Sequence, residues 1–222
     1  MQEAELKVDG VLVIVGGGDV DVALLRQLAD RGAHLVGADG GGDAIAAAGL
    51  MPDAIIGDLD SLSDPEAWAN KTRVFRVVEQ DTTDFEKALY STCAPVTVAL
   101  GMTGGRFDHT LAALDSVLRH AKERHIILID TSDLALALTG PFSFAVGKGE
   151  RVSIHPLGPV QFKRSQGLLY PLDSLLLAPG VRLGTSNAAT EGPFAITPEE
   201  NQPPWLLILD RSHLAALLKV LA

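Results

Sequence analysis

In the first half of the chain, short continuous apolar runs are separated by segments with helical spacing. The runs predict buried strands at 11–15, 35–38, 55–56, 74–78, 96–100 and 126–130. Between them, apolar residues at helical spacing predict helices at about 20–31, 44–49 and 110–124, whereas residues 1–10 look like an irregular start. Strands that alternate with helices favour a parallel sheet with crossover connections.

The pattern changes near Thr139. A strand predicted at 134–138 begins a sheet of different character, and beyond Thr139 glycine, proline and short alternating runs replace the periodic helices, with strands predicted at 142–146, 151–155, 167–170 and 205–209. Short strands with regular turn signals are typical of a β-sandwich or a barrel-like domain. The leucines of Ser212–Ala222 predict a final packing helix. We therefore expect two domains, at 1–138 and 139–222.

Acidic residues and glycines follow two consecutive predicted strands. Asp39 precedes three glycines, and G-D-L-D-S occupies 57–61. In an open α/β sheet, ligands bind at the carboxyl ends of the strands. Asp58 and Asp60 are two positions apart and would share one face of a straight strand. Two carboxylates that close repel each other without a cation between them, so the pattern predicts a Mg²⁺ site. The alternative is a solvated turn.

The segment E-Q-D-T-T-D-F-E-K at 79–87 follows another strand and is also rich in acids. Thr82 or Thr83 suits a helix N-cap, and Asp84 in the first turn is favoured by the helix dipole. The other interpretation is that Asp84 joins the acidic edge of the sheet. Lys87, one turn further on, either reaches a phosphate or pairs with these acids.

Two glycine-rich segments precede helices. G-G-G at 16–18 nearly matches a dinucleotide-binding fingerprint, but Asp21 stands where its last glycine belongs, so a tight turn is an equal alternative. The segment 101–109, G-M-T-G-G-R-F-D-H, lies between a strand and a helix, where the backbone and the helix N-terminus attract anions. Arg106 adds a planar fork suited to phosphate oxygens. His109 is more typical of a first-turn surface residue than of a catalyst.

Composition narrows the class of protein. A net charge of -10 argues against a general nucleic-acid binder, which would carry a basic stripe. The single cysteine, Cys93, excludes an intramolecular disulfide framework and suits a reducing cytosol. The early apolar run at 11–15 is too short for a membrane span, and no signal-peptide pattern precedes it. We expect a cytoplasmic protein with neither nucleic-acid nor membrane partners.

Taken together, the motifs resemble those of the thiamine pyrophosphokinase (thiamine diphosphokinase) family in order and in spacing, across nearly the whole chain. They are A-D-G-G at 38–41, G-D-L-D-S at 57–61, Q-D-T-T-D-F-E-K-A-L at 80–89, G-G-R-F-D-H at 104–109 and T-S-N at 185–187. The resemblance implies a kinase of thiamine diphosphate biosynthesis, a transferase that moves the β,γ-pyrophosphoryl group of ATP to the hydroxyl of thiamine and releases AMP. It also implies an N-terminal Rossmann-like α/β domain with a mostly parallel sheet and flanking helices, then a C-terminal β-sandwich. The family forms homodimers with active sites at the subunit interface.

The resemblance assigns roles to individual residues. Mg²⁺ is expected at Asp39, Asp58, Asp60 and Asp84. The catalytic set is expected to be Asp58, Asp60, Asp84 and Arg106, with Asp84 or Asp60 accepting the hydroxyl proton. The residues expected to contact ATP or thiamine are Asp39, Gly40, Gly41, Gln80, Thr83, Lys87, Arg106, Asp108, Ser186, Asn187 and Trp205. In this scheme 1–138 binds the nucleotide and Mg²⁺, and 139–222 binds thiamine and forms the dimer.

Trp205 is assigned on the weakest alignment, since the segment between Asn187 and Trp205 is hard to match to the family. An indole face could stack on the cationic thiazolium of thiamine; the alternative is a core tryptophan on a buried strand. Two other functions remain open. One is a Mg²⁺-dependent phosphohydrolase built on the D-x-D pair, acting on a small phosphorylated metabolite, and the other is a non-catalytic nucleotide-binding dimer. A P-loop kinase is disfavoured because the motif G-x-x-x-x-G-K-[ST] does not occur.

Overall fold

A computed structural model describes residues 6–221 of the chain. These residues form two compact units, one made of 6–116, 126–131 and 221, and the other of 117–125 and 132–220. Of the irregular start expected at 1–10, residues 1–5 lie outside the described part. Within it, Leu6–Lys7 is a short strand that pairs in parallel with Thr92–Cys93.

Strands and helices alternate up to residue 129, as the hydrophobic pattern predicts. The elements are β1 (Leu6–Lys7), β2 (Val11–Val15), α1 (Val22–Asp30), β3 (His34–Ala38), α2 (Gly41–Ala47), β4 (Ala54–Gly57), α3 (Pro65–Ala69), β5 (Arg73–Arg76), α4 (Asp84–Tyr90), β6 (Thr92–Cys93), β7 (Val96–Leu100), α5 (Phe107–His120) and β8 (His125–Ile129). Within the described residues, no helix combines the length and the apolar character that a membrane span requires.

Six strands of a ten-stranded mixed sheet lie in the order β8-β7-β2-β3-β4-β5. The pairings from β7 through β5 are all parallel. One of these strands, β2, is an unbroken apolar run in which Leu12 to Val15 are fully buried, as expected for a parallel strand covered on both faces. The ends of β3 and β4 therefore lie side by side, and the acidic segments begin there.

All three predicted helix starts shift in the structure, and α2 begins at Gly41 rather than near Ala44. After β2, where a phosphate loop and a tight turn were equal alternatives, α1 begins at Val22; the Asp21 carboxylate accepts a hydrogen bond from the Leu24 backbone N–H at 3.0 Å and caps this helix. The helix expected from Thr110 begins at Phe107 instead, so Asp108 and His109 belong to its first turn.

The second unit is built mainly from antiparallel strands. They are β9 (Asp133–Leu138), β10 (Phe142–Phe144), β11 (Arg151–Pro156), β12 (Val160–Gln166), β13 (Leu176–Leu177), β14 (Gly184–Ala188), β15 (Phe194–Pro198) and β16 (Trp205–Asp210), followed by a 3-10 turn (Arg211–His213) and α6 (Leu214–Leu221). Four of these strands lie in the order β14-β11-β16-β9 within a ten-stranded mixed sheet, and four others form a separate sheet with the order β10-β15-β12-β13. The rings of Phe162 on β12 and Trp205 on β16 meet edge to face at 5.6 Å, so this contact joins the two sheets.

The prediction of a strand at 167–170 is wrong. Gly167 has a φ of +70°, and Leu168 makes only an isolated bridge to Ala189. The backbone of Tyr170 forms hydrogen bonds with a side chain and not with a neighbouring strand. Its N–H donates to the Asn187 amide oxygen, and its C=O accepts from the Asn187 amide nitrogen. The strands β12, β13, β14 and β15 were not predicted.

Candidate metal centre and active site

Asp39 lies directly after β3 and is the most deeply buried acid of the site. Its side chain is only 2% exposed, and its φ of +48° is unusual for a residue other than glycine. One carboxylate oxygen, Oδ2, accepts a hydrogen bond from the Ser61 backbone N–H at 3.0 Å. The other, Oδ1, is buried without a hydrogen-bond partner among the described residues. Burial raises the pKa of Asp39, and the nearby Asp84 and Asp58 carboxylates add to this effect.

Asp58 and Asp60 lie on the loop that follows β4. The expectation of a straight strand is wrong here, because β4 ends at Gly57 and Leu59 has a φ of +71°. The turn nevertheless brings the two acids together with Asp39, since one carboxylate oxygen from each lies within 4.8 Å of the other two. Asp58 is partly buried and Asp60 is exposed, so the group runs from the interior to the surface.

The geometry of this carboxylate triad (Asp39, Asp58 and Asp60) fits a hard divalent cation. Ligands placed octahedrally at about 2.1 Å lie about 3 to 4.2 Å apart, which the observed separations permit. The orphaned Oδ1 of Asp39 is the strongest sign of fit, because a buried carboxylate oxygen without a partner is costly. A Mg²⁺ ion held by these oxygens would remove that cost.

Asp84 is tied to a buried lysine. Its Oδ1 accepts a hydrogen bond from Lys87 Nζ at 3.0 Å, and Lys87 Nζ also reaches Asp58 Oδ2 at 3.2 Å. Lys87 is 1% exposed. Burial by itself would lower the pKa of Lys87, but the hydrogen bonds and charges of Asp84 and Asp58 outweigh it and raise that pKa. Of the two interpretations of Lys87, the structure shows ion pairing. Asp84 thus lies beside the triad and helps to anchor it.

Glycines allow these segments to approach one another. A Cβ atom on Gly57 would lie 2.9 Å from Asp39 Cβ and 3.1 Å from Asp84 Oδ1. A Cβ on Gly41 would lie 1.8 Å from the Val15 carbonyl oxygen, and one on Gly40 would lie 3.2 Å from the Ser61 carbonyl oxygen. Gly40 and Gly41 therefore permit close backbone packing at the start of α2.

Gln80 and Thr83 hold the neighbouring loop. Gln80 Nε2 donates to Asp58 Oδ2 at 2.9 Å, and this bond is the largest contribution that lowers the pKa of Asp58. Thr83 caps α4, as its Oγ1 accepts from the Glu86 backbone N–H at 3.4 Å. The cap was one of the two expected roles for this threonine.

Glu79 organises the same loop and was not expected to do so. Its carboxylate accepts hydrogen bonds from the backbone N–H groups of Asp81 and Thr82, from the Thr82 hydroxyl and from the Tyr90 hydroxyl, the last at 3.0 Å. These bonds lower the pKa of Glu79. No motif links Glu79 with Tyr90, because they meet only once the loop folds back on α4.

Arg106 and Asp108 form a pair at the start of α5. Arg106 Nη2 donates to Asp108 Oδ2 at 2.6 Å and Nε to Oδ1 at 3.2 Å. Both side chains are exposed, 71% for Arg106 and 64% for Asp108. The hydrogen bond from Arg106 lowers the pKa of Asp108. An exposed guanidinium held by two bonds presents its remaining N–H groups to solvent, where an anion can bind. His109 is also exposed.

In the second unit, Ser186 and Asn187 lie on β14. Ser186 has a φ of +60°, and its backbone N–H donates to Ser153 Oγ at 2.9 Å. Asn187 is 3% exposed and uses its amide to bind the backbone of Tyr170. Trp205 is fully buried against Phe162, and its Nε1 has no partner among the described residues. This burial matches the alternative of a core tryptophan, and a stacking role for Trp205 stays a prediction.

Comparisons with known proteins show what this chain is similar to. The sequence model described as thiamin pyrophosphokinase, catalytic domain, matches residues 25–129, which include every acid of the site. Thiamin pyrophosphokinase 1 of Caenorhabditis elegans is 30% identical over 154 residues, or 63% of this chain and 63% of that relative. The chain thus spans somewhat less than two thirds of its length. Thiamine pyrophosphokinase 1 of Oryza sativa subsp. japonica is 28% identical over 208 residues, covering 82% of this chain and 78% of the relative.

A solved structure agrees with the fold. The crystal structure of thiamine pyrophosphokinase from Bacillus subtilis superposes with a TM-score of 0.75 at 23% identity, covering 90% of this chain and 98% of that one. The mixed α/β architecture is therefore shared with a known enzyme. In sequence, the family model and the two relatives make the chain similar to thiamine pyrophosphokinases.

Proposed function

We propose that the chain transfers the pyrophosphoryl group of ATP to the hydroxyl of thiamine, giving thiamine diphosphate and AMP. The observation that carries the proposal is the carboxylate triad with the orphaned Asp39 oxygen, within the segment that matches the family's catalytic domain. The comparisons give no support to a phosphohydrolase or to a silent nucleotide-binding dimer. We also propose that the reaction takes place in the cytoplasm.

In this reaction the thiamine hydroxyl oxygen attacks the β-phosphorus, and the bond between the α- and β-phosphates breaks. Asp39, Asp58 and Asp60 would hold Mg²⁺, with Asp84 beside them. The ion, when bound, would neutralise the phosphate charge as AMP departs. Lys87 keeps Asp58 and Asp84 in place, and the exposed Arg106 would bind phosphate oxygens. Gln80, Thr83 and Asp108 would border the nucleotide.

The hydroxyl proton needs an acceptor. Asp84 is held by Lys87 and by the Asp58 backbone N–H, whereas Asp60 is exposed. We therefore propose Asp60 ahead of Asp84 as the acceptor. Replacing Asp60 with asparagine should remove the acidic limb of the pH profile of kcat, and an unchanged limb would point to Asp84.

For the second unit we propose the thiamine side of the site, with Ser186, Asn187 and Trp205 as its candidate residues, in a β-sandwich assigned to 139–222. The Rossmann-like domain is assigned to 1–138. We further propose a homodimer with active sites at the subunit interface. Exposed apolar side chains of the second unit support it, among them Leu169, Leu176, Val181 and Leu183. Sedimentation analysis tests this point, since a monomer at micromolar concentration would contradict it.

Single replacements of Asp58 or Asp84 by alanine test the acidic site. We expect at least about a 100-fold loss of turnover in each, as is typical when electrostatic stabilisation of a transition state is removed. The fold should survive, because Lys87 keeps one carboxylate partner in each variant. Turnover is measured with ATP, Mg²⁺ and thiamine, and folding by circular dichroism. Wild-type turnover in either folded variant would contradict the assignment.

A further inference from the structure

The loop that carries Asp58 and Asp60 has an unfavourable backbone conformation at its centre. Leu59, between the two acids, has a φ of +71°, a region that branched and bulky residues rarely adopt. Such a conformation persists only where the surroundings hold it. The question is which residues provide that support.

One support is a hydrogen-bonded clamp from Asp43, in the first turn of α2. Its Oδ2 accepts from the Ser63 backbone N–H at 2.7 Å, and its Oδ1 accepts from the Ser63 hydroxyl at 2.8 Å. The same Oδ1 accepts from Trp68 Nε1 at 2.9 Å. Three donors on one carboxylate join α2, the far end of the acidic loop and α3.

The second support is apolar. Trp68 is 6% exposed and belongs to a buried cluster with Ile55 and Leu62. The side chain of Leu59 packs against this cluster. Leu59 is thus fixed through its own side chain. The cluster on which it packs also contains Trp68, whose indole donates a hydrogen bond to Asp43.

We propose that Asp43 and Trp68 are positioning residues, which hold the loop 58–63 so that Asp58 and Asp60 are arranged for Mg²⁺ before the ion arrives. The inference rests on the proposed function, because it takes the carboxylate triad as the metal site. Neither residue belongs to the triad. Their effect on the metal is indirect, like that of hydrogen-bond partners that orient metal ligands, whose loss typically lowers metal affinity about 10- to 100-fold.

The variants Asp43→Asn and Trp68→Phe test this role. Asparagine keeps the size of Asp43 but replaces one acceptor oxygen with a donor, and phenylalanine removes the indole N–H while keeping an apolar ring. Asp64→Asn is the matched control. It makes the same charge change one residue beyond the loop, and asparagine can still cap α3 as Asp64 does through the Ala67 N–H.

Binding is measured by calorimetric titration with MgCl₂, first alone and then with saturating α,β-methylene ATP, which cannot be cleaved at the reacting bond. We expect the dissociation constant for Mg²⁺ to rise about 10-fold or more in Asp43→Asn and Trp68→Phe and to stay within about twofold in the control. Excess Mg²⁺ should restore kcat in both variants, and circular dichroism should show that both are folded before Mg²⁺ is added, because Mg²⁺ binding would also rescue a variant that is merely less stable. Indole emission should change on Mg²⁺ addition in the wild type, and this change should be absent in Trp68→Phe.

Wild-type affinity for Mg²⁺ in both folded variants would overturn the inference and leave the proposed function intact. A loss of kcat that excess Mg²⁺ does not restore would also overturn it. If the wild-type protein binds no Mg²⁺ under either condition, the metal site fails, and the proposed function fails with it.

Discussion

Gly57 is the residue on which the spacing of the acids depends most directly. Its absent side chain leaves the space in which Asp39 and Asp84 approach β4. We predict that Gly57→Ala pushes these two acids apart and lowers stability by about 1–3 kcal/mol, the usual cost of forcing an extra methyl group into a packed site. Turnover should fall as well, since the triad loses its spacing.

Gly140→Ala is the comparison variant for this prediction, because a Cβ at Gly140 would have no atom within 4 Å. Urea unfolding and Mg²⁺ titration should show a change in Gly57→Ala and almost none in Gly140→Ala. Equal behaviour of the two variants would mean that the acids do not depend on the close approach at Gly57.

At the scale of single residues, the sequence indicated which acids lie together, but not the backbone conformation that brings them together. Parallel strand order was enough to bring Asp39 to Asp58, because both follow neighbouring strands. The left-handed turn at Leu59 could not be predicted, since it depends on the cluster around Trp68. The sequence also left open whether Lys87 pairs with the acids or reaches a phosphate, because this depends on the burial of its side chain in the folded protein.

The loop before α4 is an element held by one carboxylate. The Glu79 carboxylate accepts four hydrogen bonds. Three come from Asp81 and Thr82, just before α4, and the fourth comes from the hydroxyl of Tyr90 at the end of this helix. We predict that Tyr90→Phe lowers the free energy of unfolding by about 1.5–3 kcal/mol, the value of a hydrogen bond to a charged group. The KM for ATP should rise modestly, because Gln80 lies on this loop.

The other tyrosine of the chain provides the control. Tyr170 is 63% exposed, so Tyr170→Phe should change stability by no more than about 0.5 kcal/mol. Chemical denaturation of both variants measures the difference. A Tyr90→Phe protein as stable as Tyr170→Phe would show that Glu79 does not need the phenol to order the loop.

Elements of the first unit were easier to predict than those of the second. Buried parallel strands such as β2 are continuous apolar runs and can be recognised without knowing their neighbours. The strand β14, G-T-S-N-A, carries no apolar alternation, and its pairing with β11 contains a bulge. β12 likewise turns polar after Phe162. Such strands are fixed by their partners, so local patterns miss them.

At the scale of the whole molecule, two histidines link stability to pH. Burial lowers the pKa of His125 on β8 and of His155 on β11 below the ordinary value of about 6.5. The unfolded chain therefore binds more protons than the folded chain below about pH 6.5, and the free energy of unfolding falls as pH decreases through that window. Above it, both states hold neutral imidazoles and the contribution is constant.

Urea unfolding at pH 7.5 and at pH 5.5 measures this dependence, above the range in which ordinary carboxylates titrate. We expect lower stability at pH 5.5 and a smaller difference between the two values in His155→Gln, which cannot be protonated. An identical difference in the variant would contradict the role of His155.

The mixed α/β fold was predictable because the change from helical to alternating patterns is large and spans many residues, whereas the Rossmann-like domain and the β-sandwich stay predictions. The proposed function rests on several motifs in order, since each acid-rich or glycine-rich segment alone fits an ordinary turn or cap. Asp21, expected within a phosphate loop or a turn, is such a cap. What distinguishes the site is a buried carboxylate oxygen without a partner, which only the folded chain reveals.

The fate of the phosphates of ATP tests the central claim most directly. Purified protein is incubated with Mg²⁺, thiamine and ATP carrying ³²P at either the γ- or the α-position, and the products are separated by chromatography. We predict that the γ-label enters thiamine diphosphate, that the α-label appears in AMP, and that the two products form in equal amounts only when thiamine is present. An α-label recovered in ADP, or a γ-label released as free phosphate without thiamine, would contradict the account.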